Sequence, residues 1–179
     1  LRFLASGNFP IGLPHQGFRE AGSHRIVGIR ECTILAPELF ALIAPISEML
    51  KVRKGKYALD ITMTLTDQGV DLGIKGLPLE GLAQTEALLD FARDQRLARM
   101  TLDQGYGPEA MWEPEPVTVT LSGVPVGFPS GAFLQATSDG EAVLTATARE
   151  WLVDARTVAD LFSGLGTFAF SLAGETKVL

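Results

Sequence analysis

Thr157-Val158-Ala159-Asp160-Leu161-Phe162-Ser163-Gly164-Leu165-Gly166-Thr167-Phe168-Ala169-Phe170-Ser171-Leu172-Ala173-Gly174 decides how the back of the chain is read. Residues 157–162 have the apolar character of a buried strand, and Gly164-Leu165-Gly166 makes a tight turn. Residues 167–173 continue as a helix, Gly174 ends it, and residues 176–179 begin a second strand. Strand, turn, helix, strand is the opening unit of a doubly wound parallel sheet. Glycines at such a turn carry no Cβ, so the backbone can approach a ligand held at the carboxyl edge of the sheet.

What that ligand is depends on the neighbouring charge. Gly164-Leu165-Gly166-Thr167-Phe168-Ala169 fits the relaxed dinucleotide fingerprint, which points to a nicotinamide or flavin enzyme. Asp160 stands in the strand four residues before Gly164, where a pyrophosphate gains nothing from an acid. S-adenosyl-L-methionine offers an ammonium and a sulfonium to the same carboxylate, so the charge favours it. A ligand-free strand-to-helix turn is the plain alternative.

Working outward, Ser138-Asp139-Gly140-Glu141 reads as a capping-box start for a helix with Leu144, Ala148, Trp151 and Leu152 on one face. Residues 103–116 are turn-rich and acidic and read as a connection, followed by a strand over residues 117–121. Residues 57–66 alternate, with Leu59, Ile61, Met63 and Leu65 on one side, and the Asp67-Gln68-Gly69 turn folds them onto residues 70–74 as a hairpin. A helix with Leu82, Leu88, Leu89 and Ala92 on its apolar face packs on that hairpin, and residues 97–102 add a strand. Residues 2–5, 15–20 and 25–29 form a small antiparallel meander. Leu39, Ile43, Ile46 and Leu50 share a face of a helix that opens at Pro37 and that Pro45 must kink or split.

The fold class expected is therefore an α+β central domain over residues 1–127, followed over residues 128–179 by the start of a Rossmann-like α/β domain. The chain has 179 residues, 46% of them hydrophobic and 20% charged, enough for one good core or for a small domain with part of another. No apolar run approaches the roughly 20 residues of a membrane span. A single cysteine, Cys32, excludes a disulfide scaffold, and the cytoplasm is the expected compartment. Leu1-Arg2-Phe3-Leu4 lacks the features of a signal peptide and reads as a cut inside a longer protein. The net charge of −6 is uneven: residues 1–57 carry eight Arg or Lys against four Glu, and residues 58–179 carry seven against seventeen acids. Contact with RNA would then be a localised patch rather than a general coating.

Phe128-Pro129-Ser130-Gly131-Ala132-Phe133-Leu134-Gln135, followed by Asp160-Leu161-Phe162-Ser163-Gly164-Leu165-Gly166-Thr167-Phe168, resembles the RNA (uracil-C5)-methyltransferase family, the enzymes that make 5-methyluridine in tRNA and ribosomal RNA. Gly17-Phe18-Arg19-Glu20, Ser23-His24-Arg25-Ile26-Val27-Gly28-Ile29 and Cys32-Thr33-Ile34-Leu35-Ala36-Pro37 look like that family's central domain. The resemblance covers nearly the whole chain. It implies a class I methyltransferase domain whose S-adenosyl-L-methionine site is lined by Gln135, Phe162 and Thr167, with Gly164 and Gly166 shaping the loop and Asp160 in the same pocket. Each of the three lining residues also has a plain alternative: Gln135 as a cap of the following helix, Phe162 as core, Thr167 as a helix N-cap. Thr137 and Thr167 stand where the family often has Asn, which removes one side-chain amide at each place. Ser163 replaces a common Cys.

The resemblance further implies RNA as partner, with Arg19, Arg25 and Arg30 near phosphates and Phe133 touching a uridine flipped from its stack. A solvated strand face is the alternative for the arginines, and a domain anchor for Phe133. Some family members use a cysteine at the place of Cys32 as a distal ligand of a [4Fe–4S] cluster, with three more cysteines upstream. This implies ligation in the parent protein and an inert small hydrophobe in these residues. Family chemistry adds a cysteine thiolate to uracil C6 so that C5 can attack the cofactor methyl, and a base then removes the C5 proton. Both groups lie after the glycine turn in the family, so no residue here is catalytic and these residues alone are expected to be inactive. An NAD(P)-dependent oxidoreductase and a non-catalytic RNA-binding module are the rival readings. A sheet ending at its second strand leaves an edge unpaired, so the last roughly 40 residues are expected to be poorly ordered, rearranged or associated through that edge.

Overall fold

A computed structural model of the chain describes residues 2–9, 15–22, 26–28, 30–51 and 55–179. The chain divides into two compact units, Leu1–Val117 and Thr118–Leu179.

The first unit is built on a seven-stranded mixed sheet. Its strands are β1 (Arg2–Phe9), β2 (His15–Arg19), β3 (Ile26–Gly28), β4 (Gly55–Thr66), β5 (Gly69–Lys75), β6 (Arg99–Asp103) and β7 (Pro108–Trp112), in the order β3-β2-β1-β4-β5-β6-β7. All neighbours are antiparallel except β5 and β6, which run parallel and are joined through helix α3 (Gly81–Asp94). The expected meander is present as β1, β2 and β3, now one end of a larger sheet. Helices α1 (Pro37–Ala41) and α2 (Ile43–Lys51) complete the unit.

Alternation along three central strands builds the core. Met63, Leu72 and Met100 face one another across β4, β5 and β6, as do Ile61, Ile74 and Leu102. All six are buried and join Leu39, Ile46 and Leu50 of the first two helices and Leu88 and Ala92 of α3 in one cluster. Each such Leu, Ile or Met side chain contributes about 1.5–3 kcal/mol by leaving water. The opposite face is polar: Thr64, Asp71 and Arg99 share one row, and Asp60, Lys75 and Asp103 another. Asp71 and Arg99 are 5% and 6% exposed and form a two-pronged pair, Nε to Oδ1 at 3.0 Å and Nη2 to Oδ2 at 2.7 Å. Glu113 adds a longer contact to Nη1 at 3.5 Å. The hydrogen bond to the Asp71 carboxylate raises the already high pKa of the guanidinium, so Arg99 keeps its charge.

In the second unit, β8 (Thr118–Leu121) and β9 (Val124–Gly127) form a hairpin. Ser122 and Gly123, at φ 48° and 82°, make the left-handed two-residue turn that matches strand twist. Helix α4 (Ser138–Trp151) follows, and then β10 (Thr157–Val158), α5 (Thr167–Leu172) and β11 (Lys177–Val178). β10 and β11 pair in parallel, so the strand-turn-helix-strand order expected at the end of the chain is present.

Several local expectations are corrected. The helical stretch after Pro37 is interrupted at Leu42, before Pro45 rather than at it. Pro45 thereby falls in the first turn of α2, where no intrahelical partner awaits its missing N–H. Leu65 is 41% exposed while Thr66 is buried, because Thr66 Oγ1 turns in to donate to Gly69 O at 2.7 Å as the hairpin closes. Leu82 is 73% exposed, since it lies in the first turn of α3, whose buried face is Leu88 and Ala92. Residues 103–116 are not merely a connection: they hold β7, which adds antiparallel to β6 across a bulge at Met100/Thr101. Helix α4 buries none of its residues, and Leu144 and Trp151 are exposed. Its N-cap is Thr137, one residue before the expected Ser138, because the Thr137 hydroxyl accepts from Gly140 N at 3.2 Å.

Candidate functional site

The loop between β10 and α5 stands on the parallel pair. Leu179 N donates to Val158 O at 2.9 Å and Asp160 N donates to Leu179 O at 3.0 Å, which carries the pairing two residues beyond β10. The chain then leaves the sheet through three left-handed residues: Phe162 at φ 62°, Gly164 at φ 59° and Gly166 at φ 91°. Gly166 N donates to Ser163 O at 2.9 Å and Phe170 N to Gly166 O at 2.8 Å, so the turn runs directly into the helix.

The two glycines serve different purposes. A Cβ at Gly166 would lie 2.7 Å from Cε2 of the Phe170 ring, so this glycine is required both by its backbone angle and by close packing. A Cβ at Gly164 would meet nothing within 4 Å. Open space lies above that backbone. Asp160 is half-buried, and its Oδ2 accepts from Ala169 N at 3.1 Å, so the carboxylate reaches across the loop to one of the first amides of α5.

Phe162 is fully exposed, at 104%. A bulky residue at positive φ costs about 1–2 kcal/mol, and here no burial of the ring offsets it. Such outliers gather where the chain is shaped for a ligand rather than for its own packing. Before α4, residues 128–137 begin at the buried Phe128, turn through Gly131 at φ 77° with Ala132 N donating to Pro129 O, and expose Phe133 at 79%. Gln135 lies half-buried on the same segment. At the helix start the Thr137 hydroxyl, followed by the backbone amides of Asp139 and Gly140, holds the Asp139 carboxyl below its usual range.

All three plain alternatives for the lining residues are corrected by this geometry. Thr137, not Gln135, caps α4; Phe162 is not core; and Gly166, not Thr167, is the N-cap of α5, with Thr167 its first helical residue. The loop brings Asp160, Phe162, Gly164, Gly166 and Thr167 onto one strand-to-helix crossing, with Gln135 and Phe133 on a separate segment of the same unit. Sequence reasoning did not find the left-handed backbone at Phe162 or the Asp160-to-Ala169 bond. It also missed the role of Phe170, although an aromatic four residues after Gly166 is a legible hint of close packing.

Of the candidate RNA-contacting positions, Arg19 lies on β2 and Arg30 is exposed, while Arg25 falls outside the described residues. Cys32 is half-buried against the core cluster of the first unit. Among the described residues no group of three or more His, Cys, Asp or Glu is placed to hold a metal ion. Four thiolates hold a cluster and the chain has one, so these residues do not by themselves fit a [4Fe–4S] group. Among the described residues no helix is long and apolar enough to cross a membrane.

No protein-family model matches the chain. A protein of Zymomonas mobilis named an uncharacterized RNA methyltransferase is 46% identical over 164 residues, covering 90% of this chain and 41% of that protein. The 23S rRNA (uracil(1939)-C(5))-methyltransferase of Edwardsiella ictaluri is 33% identical over 161 residues, covering 88% of this chain and 36% of that protein. Among solved structures, the Pyrococcus abyssi tRNA (uracil-54, C5)-methyltransferase in complex with S-adenosyl-L-homocysteine shares the fold. Its TM-score is 0.64 at 21% identity, over 96% of this chain and 45% of that one. The resemblance to RNA (uracil-C5)-methyltransferases read from the sequence is thus present along about nine-tenths of the chain, which spans about two-fifths of the length of the curated relatives it matches.

Proposed function

We propose that the chain is the central α+β domain and the first β-α-β of the catalytic domain of an S-adenosyl-L-methionine-dependent RNA uridine C5-methyltransferase. The observation that carries this reading is Phe162: an exposed aromatic on left-handed backbone, beside an open Gly164, on the crossing where an α/β sheet takes its ligand. Relatives named for uracil C5-methylation support it.

The loop fits the cofactor chemically. The space above Gly164 admits a ligand close to backbone, Phe162 offers an aromatic face, and Asp160 supplies a fixed negative charge at a half-buried position. Gln135, Asp160, Phe162, Gly164, Gly166 and Thr167 are the residues that would hold S-adenosyl-L-methionine, which supplies an electrophilic methyl group when bound. Asp160 has two tasks in this arrangement. It fastens the start of α5 through Ala169 N and sets a negative potential suited to a cationic ligand. Phe133 meets the uracil ring, and Arg19, Arg25 and Arg30 contact phosphates.

The thiolate that attacks C6 and the base that takes the C5 proton belong to parts of the parent protein after the glycine turn. The 179 residues alone therefore methylate nothing. Cys32 ligates a cluster only together with three thiolates from elsewhere in the parent. Cytoplasm is the compartment in keeping with an RNA-modifying enzyme. Calorimetric titration of the full-length parent with S-adenosyl-L-homocysteine and with NADH tests the assignment. Binding of the former that weakens in Phe162→Ala is expected, and binding of NADH alone would overturn it.

A further inference from the structure

The β6–β7 turn of the first unit borders a cavity of about 250 Å³ that plays no part in the proposed methyl transfer. Its floor is apolar, from Leu79, Leu102 and Met111, and its rim carries the Gln104 amide, the Tyr106 ring and the Glu109 carboxylate. Tyr106 is 96% exposed, yet the turn that presents it is firmly built. Asp103 Oδ1 accepts from Gly105 N at 2.7 Å and from Gly107 N at 3.1 Å, both glycines have φ above 100°, and Asp103 O accepts from Gly76 N at 2.9 Å. An aromatic ring held out by so many backbone bonds is a preformed contact surface.

The surrounding charge selects the occupant. Glu109 on the rim and Glu80, next to the lining residue Leu79, are exposed at this end of the sheet. The neighbouring Lys75 is engaged with Asp103 at 3.3 Å. Phosphates are repelled by such a surface, whereas a long side chain with an aliphatic stem and a cationic head matches an apolar floor, a carboxylate and an aromatic face. The cavity also adjoins an edge strand: β7 pairs with β6 on one side and with no other strand among the described residues. Pro108 and the bulge at Met100/Thr101 blunt indiscriminate pairing there, leaving room for a segment that brings the right side chain.

We propose that this cavity docks an extended lysine- or arginine-bearing segment of a partner protein, which adds along the outer edge of β7 and seats its cationic side chain between Tyr106 and Glu109. The segment gains main-chain hydrogen bonds from the edge and specificity from the cavity.

Fluorescence anisotropy of the 179-residue chain with a labelled, acetylated (Val-Lys)₄ peptide tests this, with (Val-Glu)₄ and an oligouridylate of eight nucleotides as controls. Saturable binding of the lysine peptide is expected, weakened about tenfold or more by Glu109→Lys and by Tyr106→Ala. Both substitutions are at exposed positions, and circular dichroism confirms that the variants fold. Absence of lysine-peptide binding, equal binding of the glutamate peptide, or indifference to Glu109→Lys overturns the proposal. Oligouridylate binding lost in Tyr106→Ala, with the lysine peptide unaffected, would assign the surface to RNA instead. None of these outcomes depends on cofactor binding at the β10–α5 loop.

Discussion

Replacing Gly166 by alanine isolates what the strand-to-helix crossing requires. At φ 91° an L side chain costs about 1–2 kcal/mol, and the new Cβ would lie 2.7 Å and 2.9 Å from two atoms of the Phe170 ring. Moving that ring off its preferred rotamer adds roughly 0.5–1.5 kcal/mol. The combined loss of about 1.5–3.5 kcal/mol should appear locally, because Phe170 N and Ala169 N are bonded to Gly166 O and Asp160 Oδ2. Amide hydrogen exchange in the full-length parent would read it as roughly ten- to three-hundredfold faster exchange at these two amides. Gly164→Ala is the control. Its φ of 59° carries only the backbone penalty and its Cβ meets nothing, so the acceleration should be smaller, roughly five- to thirtyfold. Equal effects at the two glycines, or protection at Phe170 unchanged in Gly166→Ala, would refute the packing argument.

Phe162→Gly should raise the thermal midpoint slightly while weakening S-adenosyl-L-homocysteine binding in the parent, since glycine relieves the φ of 62° and removes the ring; a lower midpoint with unchanged affinity would contradict both halves. Asp71→Asn leaves the buried Arg99 charge without its main partner and should cost about 3–5 kcal/mol in urea unfolding, whereas Asp71→Leu with Arg99→Met should return to within about 1–2 kcal/mol of the parent chain. A loss below about 1 kcal/mol in the single variant would show the pair to be dispensable. The Gly105 amide, with Lys75 and the Gly107 amide, holds the Asp103 carboxyl below its usual range. Its contribution is therefore present above the unfolded-state value and is lost as pH falls through the lower folded-state value. Urea midpoints followed between about pH 2 and 5 should fall less steeply in Asp103→Asn than in the unaltered chain, and parallel curves would refute the assignment.

The elements that announced themselves in the sequence are those whose periodicity meets a single buried face. Leu59, Ile61 and Met63 opposite Leu72 and Ile74 gave both strands and their turn, and Gly164-Leu165-Gly166 gave the crossing. Errors fell where an element is short or lies at an edge. β7 is exposed along much of its length, so Pro108-Glu109-Ala110-Met111-Trp112 carries no alternation to read, and its place is fixed only by pairing with β6. Helix α4 shows amphipathic spacing without burying that face within the described residues. At the candidate site the residue types were legible, but their backbone was not. The left-handed angle at Phe162 arises from the loop's closure, and no composition signals it.

The pairing of β1 with β4 has a consequence for how the first unit assembles. Eight residues of β1 meet eight of β4, yet residues 10–54 must be gathered before the two can zip. The adjacent hairpins β1–β2, β2–β3 and β4–β5 close over short stretches of chain, and each can form early. Joining them across this long excursion is the loop-closure step that should limit the folding rate. A chain emerging from the ribosome must therefore hold its amino-terminal strands in waiting until β4 has been synthesised.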